Sequence, residues 1–457
     1  MWNIEEFVEA AGVTVEELAA YVSESQRGEV PVLRRRPPGE LAGRLGIAGL
    51  IAEGGLTARG YRDFLRAYLA EGTRLHHPAC LAHQDAAPDF PAALADFVHG
   101  AANNLTAVYE MGAPATTVEI EVLRWMLAKV GFPRGGGVLT GGGSMANLTA
   151  LLAARARAAP EAWEEGVPGD LVVLAPPSAH YSIARAVSIL GLGARAVVPL
   201  ATDGLGRVDV RRLPDISGKR VMAVVASACA TGTGLHDNLR AIGGWCRERG
   251  VWFHVDAAHG ASALLTDAYK HLLDGVDLAD SVIWDAHKML GTSSLAAAVL
   301  VRDEHALDDA FRQEASYLFY GDQGFDLLSR TLECTKGELG LKILLNLAWR
   351  GERGVGEHVA RRYESAHRLW ELAGRREGFV LPYEPESNIL CFRYGTSDQA
   401  ALRERLMADG AFYLTSTELG GVRHLRVTVM APATDDVTLE ALLDEIEARG
   451  KVSIGAD

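Results

Sequence analysis

Residues 280–289 read Asp280-Ser281-Val282-Ile283-Trp284-Asp285-Ala286-His287-Lys288-Met289. Val282, Ile283 and Trp284 have the β-branched and aromatic character of a buried strand. His287 and Lys288 fall where that strand breaks into a loop. A lysine there is poorly solvated, and burial disfavours the charged ammonium, which lowers its pKa. A neutral amine is a nucleophile that condenses with an aldehyde. An ordinary surface lysine at a strand end would look the same in isolation, so the reading depends on what surrounds it.

Upstream, short apolar runs alternate with helical patterns. Strands are expected over 171–174, 196–199, 221–226 and 251–255, and helices over 181–190 and 239–249. Such alternation predicts an α/β domain, a mostly parallel central sheet covered by helices on both faces. Ligands of these sheets bind at the carboxyl ends of the strands. Asp256 follows one such end, Asp285 and Lys288 another, and His180 a third after a short Pro-containing turn. Residues 135–147, GGGVLTGGGSMAN, lead into a helix running to 158. Its glycines allow close approach to a phosphate, Thr140 and Ser144 carry hydroxyls, and the helix N-terminus offers free N–H groups. The loop lacks the Lys-Ser/Thr ending of a nucleotide P-loop and the spacing of a dinucleotide fingerprint; alone it is also readable as a plain tight turn.

The glycine-serine loop, His180, Asp256 and Lys288 occur in the order that pyridoxal 5′-phosphate would use them. Lys288 would carry the cofactor as a Schiff base. Asp256 would pair with the pyridine nitrogen, His180 would stack on the ring, and Gly143 and Ser144 would hold the phosphate. The protein then positions and tunes a cofactor that does the hard chemistry.

The flanks are less specific. Residues 1–75 alternate helical patterns (4–22, 60–69) with the breaker Pro37-Pro38-Gly39, and read as an arm that packs on a second copy of the chain. Residues 76–83, HHPACLAH, offer imidazoles and a thiol, the ligands of zinc. Their spacing is not that of a known finger and Pro78 disrupts any aligning helix, so no metal is expected; the segment reads as a loop entering the active site. Helices are expected over 91–107, 119–130, 341–350 and 357–373, and a tail of strands (389–394, 425–430) and helices (398–409, 439–448) forms a smaller α+β domain. The expected division is 1–75, 76–355 and 356–457.

With 59 acidic against 45 basic residues the net charge is −14, which argues against nucleic acid as a partner. Hydrophobic content of 48% and charged content of 23% are those of soluble globular proteins. The five scattered cysteines fit reduced thiols in a cytoplasmic enzyme. The acidic start MWNIEEFVEAAG has no secretory pattern, and no run approaches the ~20 apolar residues of a membrane helix.

The sequence resembles the group II pyridoxal-dependent amino-acid decarboxylases, which include glutamate, aromatic-amino-acid and 2,4-diaminobutyrate enzymes. The stretches that carry the resemblance are HVDAAHG (254–260), DSVIWDAHKML (280–290), HYSIARA (180–186), TGGGSMANLTAL (140–151), NNLTAVYEMGAPAT (103–116), RTLECTKGELGLK (330–342) and LRVTVMAPATDD (425–436). It implies a type I aminotransferase-like fold and a homodimer with active sites at the subunit interface. Ala258 would pack under the pyridine ring, His287 would adjoin the cofactor, and Asp285 stands near the phosphate where many members carry asparagine. Arg426 matches the arginine that binds the substrate α-carboxylate, and a guanidinium fork suits that partner. His83 is a further candidate for substrate contact.

Two departures stand out. The family's Gly-Thr-Thr element appears as Cys229-Ala230-Thr231. The loop that supplies a proton-returning tyrosine is short; Tyr317 and Tyr320 are its candidates, with Phe325 close by. In this family a phenylalanine at that position favours oxidative deamination. The resemblance therefore implies decarboxylation of a small L-amino acid such as 2,4-diaminobutyrate, aspartate or glutamate. The alternatives are aldehyde-forming oxidation, transamination, an aromatic substrate, or a catalytically silent binding subunit.

Overall fold

The structure is a computed structural model that describes residues 3–216, 218–312, 325–396 and 398–450. Its larger sheet has seven strands: β1 (Gly136–Thr140), β2 (Leu171–Ala175), β3 (Val197–Pro199), β4 (Arg220–Ser227), β5 (Trp252–Asp256), β6 (Ser281–Asp285) and β7 (Ala297–Val301). They lie in the order β1-β7-β6-β5-β4-β2-β3. Only β7 runs against its neighbours, pairing antiparallel with β1 and β6; the other pairs are parallel.

Strand residues alternate between two cores, as a period of two requires. Val282 and Trp284 join Met126, Ile242 and Ile343 on one face, whereas Ile283 joins Ala150, Ile183 and Val187 on the other. Helices Ala113–Lys129 and Leu239–Arg249 therefore cover the first face, and Gly143–Ala158 and Ser182–Ile189 the second. The expected sheet with helices on both faces is present. Reading the sequence missed β1, whose Gly-Gly-Val-Leu-Thr looks like loop, and β7, a short Ala-Ala-Val-Leu-Val run with no turn signal of its own.

A second sheet of five strands is built from Cys80–Leu81, Tyr413–Leu419, Val422–Thr428, Ile389–Tyr394 and Phe379–Val380, in that order. Helices Gln399–Met407 and Asp436–Gly450 pack on it through Leu402, Leu406, Leu439 and Leu443. The two helices expected over 341–350 and 357–373 are both present within Gly340–Gly374 and meet at Gly351, where φ is +66°. The boundary expected near residue 355 falls inside that span. The His-rich segment is not a loop throughout: Cys80 and Leu81 form an edge strand pairing with Tyr413 and Leu414. Val32 and Leu33 of the N-terminal segment also enter the core of this sheet. Helices Ile4–Arg27 and Ala58–Glu71 are clamped by Glu17, whose two carboxylate oxygens lie 2.7 Å from Arg62 and 2.7 Å from Arg66. No helix among the described residues is long and apolar enough to cross a membrane.

One buried ion pair ties the two ends of the larger domain together. Lys336 and Glu119 are both fully buried and in contact. Lys336 Nζ also donates to Thr106 Oγ1 (3.1 Å), and Glu119 Oε1 accepts the Leu139 N–H of β1 (2.9 Å). Removing one member of such a pair strands the other charge in a dry interior, so Lys336→Met is expected to cost about 3–5 kcal/mol. Urea unfolding of the variant beside the parent chain measures this, and an unchanged midpoint would contradict it.

Candidate active site

The carboxyl ends of β4, β5 and β6 open into one cavity lined by Gly143, Ser144, His180, Asp256, Ala258, Asp285, His287 and Lys288. Parallel register places these ends side by side: Asp256 is level with Ser227 of β4 and Ile283 of β6. The residues read from sequence as cofactor ligands are therefore brought together by the sheet itself.

Lys288 is mostly buried, its side chain 19% exposed, with Nζ 3.2 Å from Asp285 Oδ2. Burial pulls the pKa of this amine down, but the Asp285 and Asp256 carboxylates pull it up further, and the balance lies above the ordinary lysine value. The lowering expected from burial alone is thus reversed by the protein's own carboxylates. Asp285 is buried, and burial pushes its carboxyl above the usual range. His287 Nε2 stands 3.6 Å from Asp285 Oδ2, and its Nδ1 is 2.8 Å from the Ala296 carbonyl. A Cβ on Gly143 would come within 2.7 Å of Asp285 Oδ2, so the start of helix Gly143–Ala158 lies directly on this carboxylate.

Asp256 accepts hydrogen bonds from Asn147 Nδ2 (3.0 Å) and the Ala258 N–H (3.2 Å). His180 stands on the other side, its Nδ1 2.7 Å from Ser182 Oγ. Burial pulls the His180 pKa below the ordinary imidazole value, so the ring is held neutral. His259 is buried in the wall with Nε2 2.6 Å from Asn388 Oδ1, and burial drives its pKa down to about 3.

The sequence left several lining residues without a role: Gln84, Asp85, Asn147 and His259. Asn147 did carry a signal, a lone amide on the alanine- and leucine-rich face of its helix. Cys229 and Thr231, noted as departures from the family pattern, both line the cavity. Burial pushes the Cys229 thiol up to about 11, which makes it a packing residue and not a nucleophile.

Two substrate candidates stand outside the lining. The His83 ring packs edge-on against Tyr413, with centroids 5.5 Å apart, while Gln84 and Asp85 face the cavity. Arg426 is one residue behind Thr231: Nε donates to the Thr231 carbonyl (3.0 Å), and Nη1 to the Ala82 carbonyl (2.9 Å) and Thr415 Oγ1 (3.2 Å). It is 6% exposed and has no carboxylate partner among the described residues. Tyr317 and Tyr320 lie outside the described residues; Phe325 packs against Tyr109 with centroids 5.3 Å apart. Among the described residues no group of three or more His, Cys, Asp or Glu is arranged to hold a metal ion.

These groups fit pyridoxal phosphate on chemical grounds. Gly143 and Ser144, at the N-terminus of their helix, line the cavity, and a helix N-terminus favours an anion such as a phosphate. A primary amine and a separate, hydrogen-bonded carboxylate complete the set.

Comparison with known proteins agrees. The model of the pyridoxal-dependent decarboxylase conserved domain matches residues 62–395. The acidic amino acid decarboxylase GADL1 of Bos taurus is 32% identical over 415 residues, covering 83% of this chain and 78% of that protein. The cysteine sulfinic acid decarboxylase of Mus musculus is 31% identical over 380 residues, covering 76% of this chain and 77% of that protein. The crystal structure of mouse CSAD in apo form matches with a TM-score of 0.90 at 27% identity, covering 98% of both chains. The chain therefore belongs to the pyridoxal-dependent decarboxylase family: it is a lyase of the type I pyridoxal-phosphate fold that uses pyridoxal 5′-phosphate to decarboxylate an amino acid.

Proposed function

We propose that the substrate is a small acidic L-amino acid, such as aspartate, glutamate or cysteine sulfinate, and that the product is the corresponding amine. Pyridoxal phosphate supplies an aldehyde for the substrate amine and a ring that takes up the electron pair left when carbon dioxide departs. Lys288 Nζ, the primary amine that lines the cavity, would hold that aldehyde. Asp256, acceptor-only while ionised, holds a proton on the ring nitrogen. Neutral His180 and Ala258 would bracket the ring and keep water from the reacting carbon. The N–H groups of Gly143 and Ser144 take the phosphate, with Asp285 as the floor of that pocket and His287 beside it.

The observation that supports an amino-acid substrate is Arg426, and the relatives bear on its side chain. A buried guanidinium with only neutral carbonyl and hydroxyl partners among the described residues calls for an anion. It lies behind Thr231 at the cavity, in reach of the α-carboxylate of a bound amino acid once Thr231 or Ala82 yields. The names of the relatives, an acidic amino acid decarboxylase and a cysteine sulfinic acid decarboxylase, favour an acidic side chain over 2,4-diaminobutyrate or an aromatic one.

The same reading includes a homodimer in the cytoplasm. Phe90, Leu94, Phe97 and Val98 leave an apolar stripe exposed on helix Phe90–Ala102, next to exposed Trp349. Such a patch marks an association surface, and sedimentation of the purified chain reads its mass. Four of the five cysteines are buried and all are free, which supports a reducing compartment.

Carbon dioxide release across aspartate, glutamate, cysteine sulfinate, 2,4-diaminobutyrate and an aromatic amino acid tests the substrate class. Turnover of the acids is expected; turnover confined to the last two, or aldehyde with peroxide as products, would overturn the reading. Arg426→Met is expected to lose about 2–5 kcal/mol of transition-state binding, roughly 30-fold or more in kcat/KM, measured by steady-state kinetics. Gly143→Ala should press a methyl group on Asp285 and weaken cofactor binding by about 1–3 kcal/mol, tenfold per 1.4 kcal/mol, read by equilibrium dialysis.

A further inference from the structure

Behind Asp256 lies a chain of buried polar groups that the reaction itself does not use. Trp252 Nε1 donates to Ser281 Oγ (2.8 Å), Ser281 Oγ is 2.8 Å from His254 Nδ1, and His254 Nε2 is 2.8 Å from Asn147 Oδ1. Asn147 Nδ2 reaches both Asp256 Oδ2 (3.0 Å) and Ser182 Oγ (2.9 Å), and Ser182 Oγ is 2.7 Å from His180 Nδ1. His254, Ser281, Asn147 and Ser182 are all buried.

The carboxylate end fixes the direction of the bonds that lead to it. Indole nitrogen can only donate, and an ionised carboxylate can only accept. Asp256 therefore turns the amide nitrogen of Asn147 towards itself, which presents Oδ1 to His254 and requires a proton on His254 Nε2. At the other end Ser281 accepts from Trp252 and still has its own proton to give to His254 Nδ1, which is compatible with the same tautomer. Burial drives the His254 pKa down to about 4, so the ring stays neutral, as that tautomer requires. On the branch, the Ser182 N–H also points at His180 Nδ1 (3.3 Å), which makes Nδ1 an acceptor and leaves the His180 proton on Nε2.

We infer that Trp252, Ser281, His254 and Asn147 form a one-way hydrogen-bond chain that sets the orientation of the Asp256 carboxylate and, through Asn147 and Ser182, the position of the His180 ring. They are positioning residues for the two groups that bracket the cofactor ring. The sequence contains the clue that a single histidine interrupts the apolar strand Val-Trp-Phe-His-Val. This inference rests on the reading of Asp256 and His180 as cofactor-bracketing groups.

The first test is 15N NMR of histidine-labelled protein, in which His254 and His180 should both be neutral with the proton on Nε2. A proton on Nδ1 of His254 would overturn the proposal, and this needs no variant to fold. The second compares His254→Leu with His254→Gln, which keeps an N–H for Asn147. His254→Leu should weaken pyridoxal phosphate binding about tenfold or more and shift the pH at which the absorption of the bound cofactor changes; His254→Gln should restore affinity to within about threefold. A merely structural role would lower the unfolding temperature of both variants and leave the spectral pH where it is. Asp256→Asn separates the two levels. If it leaves cofactor affinity and absorption unchanged, the reading of Asp256 fails; if it alters them and His254→Leu does not, only the chain fails.

Discussion

Parallel pairing of β4, β5 and β6 is the constraint on which the rest depends. A parallel sheet buried on both faces brings every strand's carboxyl end to one edge, and backbone pairing fixes the level at which each chain leaves it. Asp256 is set by its pairing with Ser227 and Ile283, and Asp285 and Lys288 follow from the strand that Ile283 occupies. The proposed catalytic groups are side chains of one sheet edge, and their spacing is a property of the backbone.

That edge carries charges into a dry place, and the polar accounting around them is nearly complete. Asp256 is supported by an amide and a backbone N–H, while Asp285 is left with one oxygen unpaired and an amine beside it. The contrast is informative. Two donors hold Asp256 in place, whereas Asp285 leans on the Lys288 amine 3.2 Å away. The raised pKa of Lys288 has the same origin: with protein groups alone, two carboxylates answer to one ammonium.

Much of this was legible from residue order. Apolar strands alternating with helices gave the sheet, and polar residues stationed immediately after them gave His180, Asp256 and Lys288. What could not be read is what depends on long-range pairing. β1 and β7 lie at one side of the sheet and are too rich in glycine and alanine to announce themselves. Cys80–Leu81 joins a sheet whose other strands lie some three hundred residues on, and no local pattern encodes that partner. The sign of the Lys288 shift was missed because burial was weighed alone: Asp285, the larger influence, stands three residues away in the sequence, and only the proximity of Asp256 comes from the fold. Arg426 was found by its place in a motif, yet its bonds to Thr231 and Ala82 appear only when the smaller sheet docks against the loop after β4.

The central claim is that Lys288, and no other lysine, holds the cofactor. Borohydride reduction of the pyridoxal-phosphate-loaded protein, followed by peptide mass spectrometry, tests it most directly. The account predicts a single modified peptide, the one containing Asp285-Ala286-His287-Lys288, with its mass increased by the reduced cofactor. A modification on any other lysine, or none after saturation with pyridoxal phosphate, would contradict it.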